Sequence, residues 1–311
     1  MSFNVAGLSA YIENADFPII AAIQVSSDTA ALATKQLGIK GSSKMHYLTS
    51  DVVFQDGANC TRSASGTTTL TDRTITVGDV AIYENLCAKD LIGKYAQIYM
   101  AQGAAGDKVL PAEVDAAFMQ QKMEGIKKQL EVSDWQGDTL SGTNNLSYYD
   151  GWAKQIDAGS PVNGNTGAVT VAVGVTASNI IAILQAMFLE IPQNIRGRED
   201  LSIFMPREYY DLYVVALINA NLFHFIGEDG VTKLHGTNVA VRPTDGLLGV
   251  DRMFLTWNGN LVIGMDGDEE QDNLEVRLDP VTEKNIFFDC NFKRGTQVFY
   301  TEECVQFTLV P

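Results

Sequence analysis

The sequence predicts an α+β fold, and three features carry that prediction. A long helical stretch opened by Pro111 follows a Thr- and Ser-rich pair of strand formers at 45–83. Strands and helices alternate through about 177–265, and period-two apolar patches close the chain at 274–309. At 311 residues the chain holds one large domain or two ordinary ones.

Taken in order, Asn4 to Lys44 mixes two short helical patterns with an extended stretch broken by Pro18. Cap residues Ser27, Asp28 and Thr29 precede the run Ala30 to Leu37, which Gly38 and Gly41 close. This reads as an arm with small elements and not as a compact domain. Met45 to Tyr83 reads as a long hairpin, with strands Tyr47 to Phe54 and Thr67 to Val77 and a polar tip from Gln55 to Gly66. Neither strand brings enough apolar side chains for its own core. A lone two-stranded hairpin is marginal in water, so this one is expected to need another surface.

Asp90 to Ala101 has helical spacing through Leu91, Tyr95, Ile98 and Tyr99, and Gly103 to Gly106 breaks it. Pro111 then opens a helix to Ser133, in which Met119, Met123, Ile126 and Leu130 form one stripe. At 1.5 Å per residue it is about 33 Å long, a spine for a domain. The polar loop Trp135-Gln136-Gly137-Asp138 ends it, and Tyr149-Asp150-Gly151-Trp152 leads into a short helix through Ile156. After a Gly/Asn loop at Ser160 to Gly167, Ala168 to Val173 is strand-like. Next come a capped helix from Ser178 to Glu190, the strand Leu201 to Met205 and a helix with Pro206 in its first turn. Short strands are expected at Val239–Val241, Phe254–Trp257 and Leu261–Ile263. An acidic linker, Asp266 to Asp272, separates them from the final stretch, with its patches Ile286-Phe287-Phe288 and Val305-Phe307-Leu309. No repeat of 20 to 50 residues emerges, which argues against a solenoid or propeller.

Composition narrows the function classes. Apolar residues make up 46% and charged ones only 19%, a low charge density that fits either an ordinary large core or much surface covered by partners. The formal charge is -16, and no stretch gathers Lys and Arg. Tight nucleic-acid binding needs clustered cations, so it is disfavoured. Met1 to Asn14 has no cationic segment followed by an apolar run, so no secretory signal is read there and synthesis in a cytoplasm is expected. The most apolar stretches, Phe17–Val25 and Ile180–Ile191, fall short of the about 20 residues that cross a bilayer, so no membrane partner is expected.

The search for chemistry returns no catalytic residue, cofactor site or metal site. Cys60, Cys87, Cys290 and Cys304 are scattered and read as free thiols, with an inter-subunit disulfide as the alternative. His46, His224 and His235 lack ligand spacing. Gly7-Leu8-Ser9-Ala10-Tyr11 lacks the second glycine of a nucleophile elbow, and Gly103 to Lys108 is too short between its glycines for a phosphate loop. Asp266 to Asp272 alternates carboxylates as a calcium loop does, but Gln271 stands where the glycine belongs and Arg277 where the bidentate glutamate belongs. It reads as a solvated acidic loop.

In order and content these parts resemble the major capsid protein of tailed bacteriophages, the Hong Kong 97-type fold. Trp135-Gln136-Gly137-Asp138 is similar to the glycine-containing exit of that family's spine helix. Tyr149-Asp150-Gly151-Trp152 is similar to its step into a short helix, and Leu201 to Pro206 to its strand-to-helix step. The resemblance implies an N-terminal arm at 1–44, an E-loop at 45–84 and a P-domain at 85–176 with its spine at 111–133. It further implies an A-domain at 177–265 and a P-domain return at 266–311.

The implied function is a structural subunit, not an enzyme. It would self-assemble as hexamers and pentamers into an icosahedral virion shell around packaged double-stranded DNA, made in the host bacterial cytoplasm. Implied partners are a portal, with scaffolding or decoration proteins. Scaffolding would be a separate protein or absent, since no such segment is read ahead of the arm. DNA contact would be non-specific, with a neutral to acidic inner face that includes Glu113, Glu124 and Glu131 and offsets Lys122, Lys127 and Lys128. Two other readings remain: an encapsulin-like compartment or another phage structural protein such as a tail tube, and a divalent-metal hydrolase built on Asp266, Asp268 and Glu270.

Overall fold

A computed structural model describes residues 27–55, 65–87, 112–165, 167, 169–222, 232–266, 273–278 and 285–311. The stretch Asp90 to Ala101, the hairpin tip from Asp56, most of the acidic linker, Cys60, the Cys87 thiol, His224 and the Glu113 side chain lie outside those residues.

The first sheet is built on β11 (Asn285–Val298), 14 residues long. Its first ten residues pair antiparallel with β4 (Gly78–Cys87), from Asn285↔Cys87 to Arg294↔Gly78. β10 (Asn273–Leu278) also pairs with this half, and β9 (Leu261–Met265) pairs with the second half. β1 (Thr34–Gln36) adds to β9 in parallel. Along β11, Ile286, Phe288, Cys290, Phe292 and Arg294 are buried and alternate with half-buried neighbours. That is the two-residue period of a strand with one covered face.

The helix α1 (Ala112–Gln136) covers that face. Met119, Ile126 and Leu130 are buried, and Lys122 pairs with Glu84 of β4. At 25 residues α1 is about 37 Å long, three residues past the expected end at Ser133.

The second sheet has the order β5 (Val162–Asn163), β12 (Val305–Thr308), β8 (Arg252–Trp257), β6 (Leu201–Pro206), β7 (Ala240–Thr244). β6 is buried at all six positions because both its faces are covered. Leu201, Ile203 and Met205 face α3 (Ile180–Leu189) and α4 (Arg207–Asn219), in a cluster with Ile183, Leu184, Met187, Tyr213 and Leu217. Phe204 faces the other way, toward α1 and the first sheet. A continuous apolar run is how a doubly covered strand reads in sequence.

The pairing cuts across the expected boundaries. Val162–Asn163, assigned to the P-domain, and Val305–Thr308, assigned to its return, both hydrogen-bond within the second sheet. Leu261–Met265, assigned to the A-domain, belongs to the first. Two local expectations are corrected. The run Ala30 to Leu37 forms a turn followed by β1, because pairing with Val262–Gly264 satisfies its backbone better than a short isolated helix would. The stretch ending at Val173 makes only one bridge, Thr170↔Val310, before it turns. Within the stretch expected as the arm, Ala30 and Ala33 are buried and pack with Trp135.

Candidate assembly surface and the junction behind it

The two aromatic-glycine segments singled out in the sequence meet in space. Trp135 and Trp152 stand edge to face with centroids 5.2 Å apart. Trp135 also meets Phe204 at 5.3 Å and stacks on Phe254 at 5.4 Å. Around these rings lie Leu261 and Ile263 of β9, Val298 of β11 and Ile156 of α2 (Trp152–Asp157), so this cluster joins the two sheets. The glycines permit the crossing. A Cβ at Gly137 would lie 2.4 Å from Tyr149 O, and one at Gly151 would lie 2.7 Å from Trp135 O. Their backbones bond directly, Gly151 N donating to Gly137 O at 2.7 Å.

Beside the rings are two buried acidic groups from the last turns of α1. Asp134 accepts from Arg294 Nε at 2.8 Å and Nη2 at 2.5 Å, and from Tyr149 Oη at 2.9 Å. Burial alone would push the Arg294 guanidinium down, but the Asp134 carboxylate outweighs it and holds the guanidinium above its ordinary value. Burial, with Asp134 adding to it, raises the Tyr149 phenol. Glu131 accepts from Thr244 Oγ1 at 2.6 Å, from Thr29 N at 3.3 Å and from the Thr29 hydroxyl, which itself accepts from Trp135 Nε1 at 3.2 Å. The chain before α1, α1 itself and the end of β7 are thus tied at one point.

This corrects the expected inner-face assignment for Glu131, which is 5% exposed and used inside the subunit. Glu124 is exposed, and Lys122 and Lys127 pair with Glu84 and Asp28. A half-exposed cluster lies nearby, in which Lys154 Nζ donates at 2.6 Å to both Asp138 and Asp150. The Lys154 ammonium, with Ser141 and the Leu140 amide, holds the Asp138 carboxyl well below the usual range.

Of the acidic-loop candidates only Asp266 is described. It is fully buried, 3.9 Å from Lys293 Nζ. His46 is exposed and bonds Asp72 at 2.6 Å, and His235 is half-buried. Cys290 and Cys304 are buried, and burial pushes the Cys304 thiol up to about 12. None of these gathers into a reactive constellation among the described residues.

The hairpin is different in kind. β2 (Ser42–Asp51) and β3 (Thr67–Thr76) pair only with each other as a two-stranded sheet. Met45 and Ile75 are buried at its root with Ile39, Val77 and Val262. Farther out, Leu48 and Leu70 face each other across the ladder at 58% and 64% exposure, and Phe54 is 95% exposed. Val52 and Val53 are exposed with them. Among the described residues, most of this apolar surface lies open.

No family model matches the sequence, and no curated protein matches it. Solved structures do. A chain of the satellite phage P4 procapsid that includes the size determination (Sid) protein matches with a TM-score of 0.61 and 13% identity, over 97% of this chain and 96% of that one. The chain has the phage capsid fold. The cyanophage A-1(L) capsid matches at 0.56 and 11% identity over 96% and 94%, and the capsid of Myoviridae phage XM1 at 0.55 and 14% over 90% of each. The α+β, Hong Kong 97-type reading of the sequence therefore stands for the fold. Sequence reasoning missed Arg294, Thr29 and Thr244, the partners of the spine's buried acids, because each lies about 100 residues or more away and no local pattern announces it.

Proposed function

We propose that the chain is the structural subunit of an icosahedral phage capsid and not an enzyme, assembling into hexamers and pentamers that enclose double-stranded DNA. The observation that carries this is a capsid fold matched over nine-tenths or more of both chains, joined to a hairpin whose apolar outer half lies bare. In this reading β2–β3 is the E-loop, and the first sheet with α1 is the P-domain. The second sheet with α3 and α4 is the A-domain, including Val162–Asn163 and Val305–Thr308 and without Leu261–Met265.

Fully burying a side chain such as Phe54 stabilises by about 1.5–3 kcal/mol, so several such contacts per subunit, repeated round a shell, suffice to hold it. Synthesis in the bacterial cytoplasm, a portal, separate scaffolding or decoration proteins, and non-specific contact with DNA belong to the same proposal. The charge of -16 supports a wall that does not adhere to a polyanion. Electron microscopy of the expressed chain, alone and with its neighbouring genes, tests the reading. Closed shells or capsomers are expected. A chain that stays monomeric at high concentration in both preparations overturns it, and shells loaded with an enzyme in place of DNA would favour a compartment.

A further inference from the structure

The hairpin root carries more than its small apolar cluster. On the face turned to the body, Arg73 stands opposite Met45 in the ladder, and Tyr47 opposite Thr71. Arg73 donates from Nη2 to Thr301 Oγ1 at 2.9 Å and reaches Val298 O at 3.5 Å. Its guanidinium lies 5.7 Å from the centroid of the Tyr47 ring. Tyr47 meets Tyr300 edge-on at 5.3 Å, and Tyr300 stands 6.5 Å from Trp257 of β8.

The receiving side is firmly held. Asn260 accepts from Tyr300 N at 2.7 Å and donates to Tyr300 O at 2.8 Å. Trp257 Nε1 donates to Glu303 at 2.7 Å, and the Arg198 guanidinium covers the Trp257 ring at 4.2 Å. No carboxylate lies within ion-pair distance of Arg73 among the described residues, so its charge rests on neutral oxygens and a ring face. From Leu48 and Leu70 outward the hairpin is exposed.

We propose that Arg73, Tyr47 and Tyr300 form a latch that fixes the angle of the hairpin on the body before any partner is met. Released, the part of the hairpin outward of the Met45–Ile75 root becomes a swinging lever with its own ladder intact. All ten cross-strand pairs lie within the hairpin, so the ladder does not depend on the latch, whereas its direction does. A fixed direction spares a later partner the entropy of ordering the hairpin. The latch is a property of the single subunit, and only its use in a shell rests on the function proposed above.

Single-molecule energy transfer tests it on the full chain, at a dilution that prevents assembly. Dyes are carried on bio-orthogonal side chains at positions 50 and 128, both exposed. The unsubstituted latch should give one narrow population. Arg73→Leu and Tyr300→Ala should each replace it with a broad one, while Arg73→Lys, which keeps a cation over Tyr47, should fall between. Leu70→Ala, beyond the latch, should leave it narrow. Hydrogen exchange over 42–51 and 67–76 should be unchanged throughout. A narrow population that survives both latch variants, a broad one in the unsubstituted chain, or loss of ladder protection in the variants overturns the proposal. None of these results depends on whether shells form.

Discussion

Trp135 and Phe54 are both large aromatic side chains, and they sit in opposite circumstances. Trp135 is fully buried, meets three other rings and donates its indole hydrogen to Thr29. Phe54 is 95% exposed. Around the first, two sheets, a spine helix and a turn from the start of the described chain converge on one apolar cluster, with Glu131 and Asp134 beside it both hydrogen-bonded. Around the second, apolar side chains stand in water on a two-stranded ribbon. The contrast separates two placements of apolar surface: one holds the subunit together, and the other, in the function proposed above, is kept for contact outside it.

The largest effects should come from breaking the junction. Trp135→Ala empties a site shared by both sheets and should cost about 3–5 kcal/mol, read as a lower urea midpoint of the soluble subunit. Asp134→Ala strands a fully buried guanidinium and should cost about 3–5 kcal/mol, since removing one partner of a buried pair leaves an uncompensated charge. Less change than a surface substitution gives would show that Arg294 finds other support. Gly246→Ala sets a Cβ 2.2 Å from Trp135 Cδ1 and 2.5 Å from Glu131 O, which should cost about 1–3 kcal/mol through overpacking.

On the hairpin the same measurement should barely move. Leu48→Ser with Leu70→Ser should change subunit stability by about 0.5 kcal/mol or less while abolishing or sharply lowering shell yield. A large stability loss would erase the distinction between the two regions.

The smallest effect belongs to the half-exposed acids beside the junction. The folded Asp138 carboxyl is held below its ordinary value, so its contribution is present above that value and lost as pH falls through and below it. Asp138→Asn should therefore destabilise slightly at neutral pH and progressively less below about pH 4. A deficit that grows in acid would contradict the assignment.

How legible these regions were follows from the range of the interactions that build them. The spine could be read because Met119, Ile126 and Leu130 repeat at the helical period and pack as that period demands. The hairpin could be read because alternation and a polar tip are local, and the expectation that it needs a surface rests on its composition. The junction was half legible. Trp135-Gln136-Gly137-Asp138 and Tyr149-Asp150-Gly151-Trp152 stand out in the sequence as separate segments, but nothing in either says that their glycines touch. Glu131 looks like the wet side of an amphipathic helix, and Asp134 lies past its expected end, until Thr29, Thr244 and Arg294 are brought to them from far along the chain. Ala30 to Leu37 misled because its residues favour a helix, and a parallel partner more than 200 residues on decides otherwise.

The continuity of β3 and β4 has a mechanical consequence. Only Val77 separates them, and both follow β11: Gly78 pairs with Arg294, a Cβ on Gly295 would lie 2.2 Å from Thr76 O, and Gln297 Nε2 donates to Thr74 O at 2.8 Å. A pull on the outer hairpin therefore runs down β3 into β4 along the strand axis. It loads ten cross-strand pairs in shear, where they share the strain and must fail together, whereas a sideways pull would peel them apart one after another. A subunit tugged by its hairpin meets the force in its strongest direction.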